Sequence, residues 1–298
     1  MEKIPHNPNI SNERALKLIE ASIEIEKQDA LDADKVGYMP RIFMQTTLPY
    51  RNPKVQVYTR VNGNVKLSLL STNGVPYGSI PRFLITYLAS EAKRTGSPVI
   101  HLGRSQNEFM KLLGMKTAGG AQKDRMKEQC KRFFTTMFSV EVARKNEKGV
   151  VEEAVDNVLV ARKAYMFWHP KKHDELMPWQ SHIELTQDFF NECITRPVPV
   201  DLRVMDELST SPMAMDLYVW LTNRVVKARH VSTMPWEYVM LQFGCAEGTE
   251  VRTFRRYFIR ALKLVQTAAS WYPSISLDAT DGLTIYPGKG HVLPVKKR

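Results

Sequence analysis

Arg252, Arg255, Arg256, Arg260 and Lys263 fall in one stretch, Thr249 to Ala268, whose only acid is Glu250. Read as a helix, that stretch places Val251, Phe254, Phe258, Ala261, Leu262 and Val265 at intervals of three and four, forming one apolar face. Arg252, Arg256, Arg260 and Lys263 fall on the opposite face, with Arg255 at the boundary. A solvated face usually mixes signs, so that residues four apart attract. Four like charges on one face repel instead, and a phosphate-lined groove relieves that repulsion. A guanidinium also donates two coplanar hydrogen bonds to a guanine edge, so Arg252, Arg255 and Arg256, near the N-terminal end, are candidates for base reading.

A second basic row, Lys123, Lys127 and Lys131, repeats every four residues on the stretch from Ala121 to Met137. Met126, Cys130, Phe133 and Met137 give that helix its apolar stripe, Arg125 and Arg132 point elsewhere, and Asp124 and Glu128 dilute the field. Lysine is a point charge, better suited to phosphate than to two-pronged base reading, so this helix is expected to position rather than specify. Arg144, Lys145 and Lys148 surround a charged turn, and Lys289 and Lys296-Lys297-Arg298 follow a later one. These are candidate phosphate or minor-groove arms.

Other chemistry lacks its residues. The run from Gly114 to Lys123 has glycines but not the Lys-Ser/Thr of a phosphate-binding loop. No His-hydrophobic-His pair with a nearby tyrosine is present to nick DNA, and His169-Pro-Lys-Lys-His173 reads as a basic loop rather than a ligand set. Cys130, Cys193 and Cys245 are far apart, odd in number and without a CxxC pair, so they read as reduced thiols. No catalytic residue, metal or cofactor is expected. The formal net charge of +11 favours a polyanionic partner. Without a signal peptide or a run of about 20 apolar residues, the expected location is the cytoplasm, away from membranes.

The elements that must position these rows occur twice. Residues 1–37 are charged, with a helix capped by Ser11 or Asn12 and an apolar stripe of Leu16, Ile19 and Ile23. Either it docks on the body or it serves as an arm for dimerisation or a host factor. Met39 to Leu48 is strand-like, and Val55 to Val61 and Val65 to Leu69 flank Asn62-Gly63-Asn64, a hairpin signal. Then come a helix from Pro81 to Lys93, a strand at Val99 to Leu102, a helix opened by Ser105 and ending at Gly114, the Lys-row helix, and two strands, Phe138–Arg144 and Ala154–Met166.

After a Pro- and His-rich stretch from Trp168 to Pro178, a strand at Ile183–Leu185 and a helix from Thr186 to Ile194 open the second half. A helix from Ser211-Pro212 to Val226 follows, then one from Pro235 to Phe243 ended by Gly244, then the Arg-row helix. Strands around Asp281-Gly282 close the chain. A shift of about 130 residues sets Pro81 against Pro212, Tyr87 against Tyr218 and Gly114 against Gly244. Trp168 and Trp179 are expected to pack the halves together. Helix, strand, helix, turn, helix and β-hairpin is the winged-helix order. The expected fold is therefore α+β: an N-terminal helical segment (1–37) and two tandem winged-helix domains (38–170 and 171–298), the first with a leading β-hairpin.

Four runs resemble the plasmid-encoded RepA replication initiators. They are Val75-Pro-Tyr-Gly-Ser-Ile-Pro-Arg82, Asn107-Glu-Phe-Met110, Pro197-Val-Pro-Val-Asp-Leu-Arg203 and Ser211-Pro-Met-Ala-Met-Asp-Leu-Tyr218. The resemblance runs from about Met39 to Trp271. It implies a non-enzymatic initiator with paired winged helices that binds repeated sites in double-stranded plasmid origin DNA. Such a protein opens the adjacent duplex, recruits host replication proteins and sets copy number; a homodimer serving autorepression is a further implied state. It carries DNA contact onto Arg252, Arg255, Arg256, Arg260 and Lys263, and onto Lys123, Lys127 and Lys131. A winged-helix transcriptional repressor fits the same residues, and a nicking relaxase is the alternative from another class.

Overall fold

The computed structural model describes residues 12–30, 33–115, 119–145, 151–168, 180–244, 248–269, 275–278 and 282–292. Helix α1 (Asn12–Lys27) packs on two later helices. Its buried stripe is Leu18, Ser22 and Ile25, whereas Leu16 and Ile23 stand 55% and 48% exposed. This reverses the expected stripe. Both sets recur at helical intervals, and only docking decides which one is covered. Past α1, the expected Met39–Leu48 strand does not form: strand β1 covers Val36–Met39, and a single helical turn, α2 (Ile42–Gln45), follows it.

The hairpin forms as β2 (Val57–Asn62) and β3 (Val65–Ser71). Asn62 pairs with Val65, so the two turn residues are Gly63 and Asn64. Gly63 lies at φ +60° while Asn64 stays negative, the type II′ solution that needs glycine first and twists with the strands.

Next come α3 (Ser79–Thr95), β4 (Val99–His101), α4 (Gln106–Leu112), α5 (Gly120–Phe134), β5 (Thr136–Lys145), β6 (Val151–Leu159) and β7 (Ala161–Tyr165). Ser105 caps α4 by accepting from the Glu108 N–H at 3.1 Å, and the Glu108 carboxylate reaches back to the Arg104 N–H at 2.7 Å, a variant of the capping box. Helix α5 stops at Phe134, so Met137 lies in β5 rather than on the helix stripe. The expected strand from Ala154 to Met166 is broken at Val160. Its first part completes an antiparallel sheet ordered β2-β3-β5-β6, and its second part, β7, turns into another sheet.

That other sheet overturns a sequence expectation. Strand β8 (His182–Leu185), placed by sequence order at the head of the second half, pairs with β4 and β7 in the first. Helix α6 (Gln187–Ile194), capped by Thr186, packs on α3. Ile183 and Leu185 of β8 and Phe189 and Cys193 of α6 are all buried.

The remaining elements are β9 (Val198–Asp201), α7 (Leu202–Glu207), α8 (Pro212–Lys227), β10 (Ser232–Met234), α9 (Trp236–Phe243), α10 (Val251–Ala268), β11 (Ile275–Asp278) and β12 (Gly282–Ile285). Strand β10, unforeseen in the sequence, is only three residues long and edges a sheet ordered β10-β12-β11. The order α3-β4-α4-α5-β5-β6 therefore recurs as α8-β10-α9-α10-β11-β12. Gly114 and Gly244, matched by the 130-residue shift, both take positive φ (+75° and +71°) just beyond α4 and α9, where an L side chain would be strained.

The two halves share one contiguous core. Strand β1 pairs with β9, from Val36↔Asp201 to Met39↔Val198. Arg82 of α3, 2% exposed, grips Asp216 of α8 through Nε–Oδ1 at 2.7 Å and Nη2–Oδ2 at 2.6 Å. Its other donors reach the Gly78 and Leu48 carbonyls at 2.6 and 2.9 Å. Trp168, expected between the halves, instead stacks on Phe109 of α4, with ring centroids 5.7 Å apart. Trp179 and the loop carrying His169 and His173 lie outside the described residues.

Candidate nucleic-acid interface

Helix α10 is amphipathic as its sequence spacing requires. Phe254, Phe258, Ala261, Leu262 and Val265 are buried, Val251 packs at the margin of the core, and Leu264 and Ala268 extend the apolar face. The helix is held from one side by aromatic rings. Phe258 meets Trp236 at 5.7 Å and Phe243 at 5.3 Å, both from α9, and Phe243 in turn meets Trp220 of α8 at 5.4 Å. Removing a buried ring of this kind costs about 3–5 kcal/mol, so the angle of α10 on α9 is firmly set.

The opposite face carries Arg252, Arg256, Arg260 and Lys263, all exposed. The helix itself contributes no acid to neutralise them. Arg256 lies over the ring of its neighbour Tyr257 at 5.5 Å. Arg255 is different: it is half-buried, with its guanidinium 5.9 Å from the Trp236 ring. The structure therefore groups Arg252, Arg256, Arg260 and Lys263 and sets Arg255 against α9.

On α5, Met126, Cys130 and Phe133 are buried as the stripe predicts, joined by Gln129 and Phe134. Cys130 is a core thiol, its Sγ 3.8 Å from Met126 Sδ, and burial pushes its pKa up. Lys127 and Lys131 are exposed, while Lys123 is half-buried. Asp124 and Glu128 are exposed beside them. Arg132 is anchored to the body: it pairs with Glu128 at 2.7 Å, donates to the Val75 carbonyl at 3.1 Å and lies 5.3 Å from the Tyr77 ring.

Arg144 and Lys145 are the last two residues of β5, opposite Glu152 and Val151 in the register. Nothing is described of their side chains, and Lys148, Lys296, Lys297 and Arg298 lie outside the described residues. Lys289 is exposed. Among the described residues no group of three His, Cys, Asp or Glu is placed to hold a metal ion, and no helix is long and apolar enough to cross a membrane.

Two features escaped the sequence reading. Tyr238 and Leu241 of α9 are exposed at 62% and 43%, though both lie in a stretch that reads as ordinary core helix. Arg82 and Asp216 were visible as lone charges inside apolar runs, Pro-Arg-Phe-Leu-Ile and Ala-Met-Asp-Leu-Tyr. A charge in that setting is costly unless paired, and that was the available signal for their pairing.

A family model described as plasmid encoded RepA protein matches residues 75–237, more than half of the chain. The chain is similar to the selenomethionine derivative of domains 2 and 3 of RctB at 15% identity and a TM-score of 0.54, with 85% of this chain and 97% of that one covered. A second crystal structure, of RctB domains 2–3 (155–483), gives 18% identity, a TM-score of 0.48 and coverage of 74% and 82%. The likeness to the first of these shows a shared fold. No curated protein matches the chain.

Proposed function

The chain belongs to the family of plasmid-encoded RepA proteins, and from that membership we propose that it is a replication initiator that binds double-stranded DNA at its plasmid's origin. In this reading it acts by binding rather than by catalysis, through two winged-helix units presenting α5 and α10, with β8 and α6 built into the first unit. The observation that carries the reading is the face of α10: four exposed cations on a helix without an acid, backed by a buried aromatic lock. Such a face gains most from an ordered row of phosphates and guanine edges.

Arg252 and Arg256, nearest the N-terminus of α10, are assigned to base reading. Lys127 and Lys131 of α5 are assigned to phosphate, with Lys123 beside them. Opening of the duplex, recruitment of host replication proteins and a homodimeric state belong to the same proposal. Because Arg82–Asp216 and β1–β9 fasten the halves together, both helices meet one duplex at a fixed offset. Two successive major grooves on one face lie about 34–36 Å apart, so a single chain is expected to cover about two helical turns.

The test is footprinting of the full chain on the DNA flanking its own gene. Direct repeats protected beside an AT-rich tract support the initiator, whereas protection of a lone promoter palindrome supports a repressor. On the protected duplex, Arg252→Ala or Arg256→Ala is expected to cost about 1–3 kcal/mol and to blunt discrimination between sites. Equal losses on specific and random DNA would reduce both residues to phosphate contacts.

A further inference from the structure

We infer that Arg60, on the β2 strand of the first half, is a positioning residue for DNA recognition by α10 in the second half, acting through the C-terminus of α9. The inference rests on the reading of α10 given above.

A helix leaves its last four carbonyls without partners inside the helix. In α9 these belong to Met240, Leu241, Gln242 and Phe243. The Gly244 N–H takes Met240 at 2.7 Å. The rest face Arg60, whose Nη2 donates to Leu241 at 2.7 Å and reaches Gln242 at 3.5 Å, while Nη1 donates to Phe243 at 3.1 Å. The Phe243 carbonyl also accepts from Thr47 Oγ1 at 2.8 Å and from Tyr50 Oη at 2.7 Å, and Arg60 Nη1 donates in turn to that Thr47 hydroxyl. Two amide contacts widen the seam: Asn62 Nδ2 to Gln242 Oε1 at 3.0 Å, and Gln242 Nε2 to the Met44 carbonyl at 2.7 Å.

Three donors from the first half thus converge on the carbonyl of Phe243, the residue whose ring meets Phe258 of α10. A cation at a helix C-terminus is favoured by the macrodipole, and its hydrogen bonds are of the stronger, charge-assisted kind. The space is kept by Gly244: a Cβ there would lie 2.3 Å from Arg60 Cζ, and its φ of +71° suits glycine. The end of α9, whose Phe243 ring packs on Phe258 of α10, is therefore fixed by the other half of the molecule.

The test compares full-length wild type, Arg60→Ala, Arg60→Lys, Thr47→Val and Arg252→Ala. Affinities are measured on the footprinted duplex and on random duplex, corrected for the folded fraction. Hydrogen exchange is followed over residues 240–256. Arg60→Ala is expected to lower the ratio of specific to random affinity about tenfold, to leave the salt slope on random DNA unchanged and to speed exchange at the C-terminal end of α9. Arg60→Lys should recover part of the ratio, because an ammonium still reaches a carbonyl, and Thr47→Val should shift it the same way by less.

A ratio within about twofold of wild type in Arg60→Ala, alongside a clear loss in Arg252→Ala, would overturn the inference. If Arg252→Ala leaves the ratio unchanged, the base-reading role of α10 fails instead. Exchange then decides whether Arg60 holds the end of α9: unchanged protection overturns it. Should Arg60→Ala fail to fold, Arg60→Lys and Thr47→Val carry the same readouts.

Discussion

Replacing Arg82 by Met should be among the most damaging single changes available to the folded chain, and replacing its partner at the same time should undo most of the harm. Arg82 is 2% exposed and the Asp216 side chain 10%. The guanidinium uses four donors: two on the carboxylate and one each on the Gly78 and Leu48 carbonyls. Taking the cation away leaves Asp216 a charge with no partner in a site closed by Met39, Phe43, Leu48, Ile85 and Val219. Breaking one side of a buried pair costs about 3–5 kcal/mol. The variant Asp216→Asn should cost less, because its amide oxygen still accepts from the guanidinium.

In Arg82→Met with Asp216→Leu, no charge is stranded, and what remains is the loss of two carbonyl contacts at about 1 kcal/mol each. Urea unfolding of wild type, Arg82→Met, Asp216→Leu and the double variant closes the cycle; with each single at about 3–5 kcal/mol, the coupling energy should be about 4 kcal/mol or more. If Arg82→Met costs less than about 1 kcal/mol, or the double variant is as unstable as the sum of the singles, the account of the seam is wrong.

Two further outcomes follow from the same structure. Changing Lys127 and Lys131 together to Ala should weaken binding on every duplex and flatten its salt dependence by about one counterion for each lost phosphate contact; titration at several salt concentrations checks it, and an unaltered slope places the row off the DNA. His291 is held neutral, its pKa lowered to about 4 by burial, with Nδ1 2.7 Å from the Tyr218 hydroxyl. Between pH about 6.5 and about 4 the unfolded chain takes up a proton that the folded one refuses, so stability falls with pH by about 3 kcal/mol from this residue. In His291→Gln the difference between urea midpoints at neutral pH and at pH 4.5 should narrow, and an unchanged difference would contradict the assignment.

Periodicity and caps were readable along the chain because they depend on residues three or four apart. The apolar face of α10, the Ser105, Thr186 and Ser211 caps and the glycines after α4 and α9 all stand where the sequence places them. So does the repeated order of elements apart from β10, and so does the single-signed face of α10, since α10 contains no acid.

What tertiary structure alone decided are choices between equivalent local solutions. Leu16, Ile19 and Ile23 make as good a stripe as Leu18, Ser22 and Ile25, and docking against α7 and α10 selected the second. Strand β8 was a sound strand in the sequence, but its partners lie about 80 residues earlier in β4 and nearby in β7, and pairing over such distances leaves no local mark. Arg60 looks like any outward residue of a hairpin strand. It acquires a role only because folding brings the bare carbonyls at the end of α9, some 180 residues later, within reach of its guanidinium. A side chain announces its own chemistry, but the groups it must satisfy come from backbone that only the closed fold delivers.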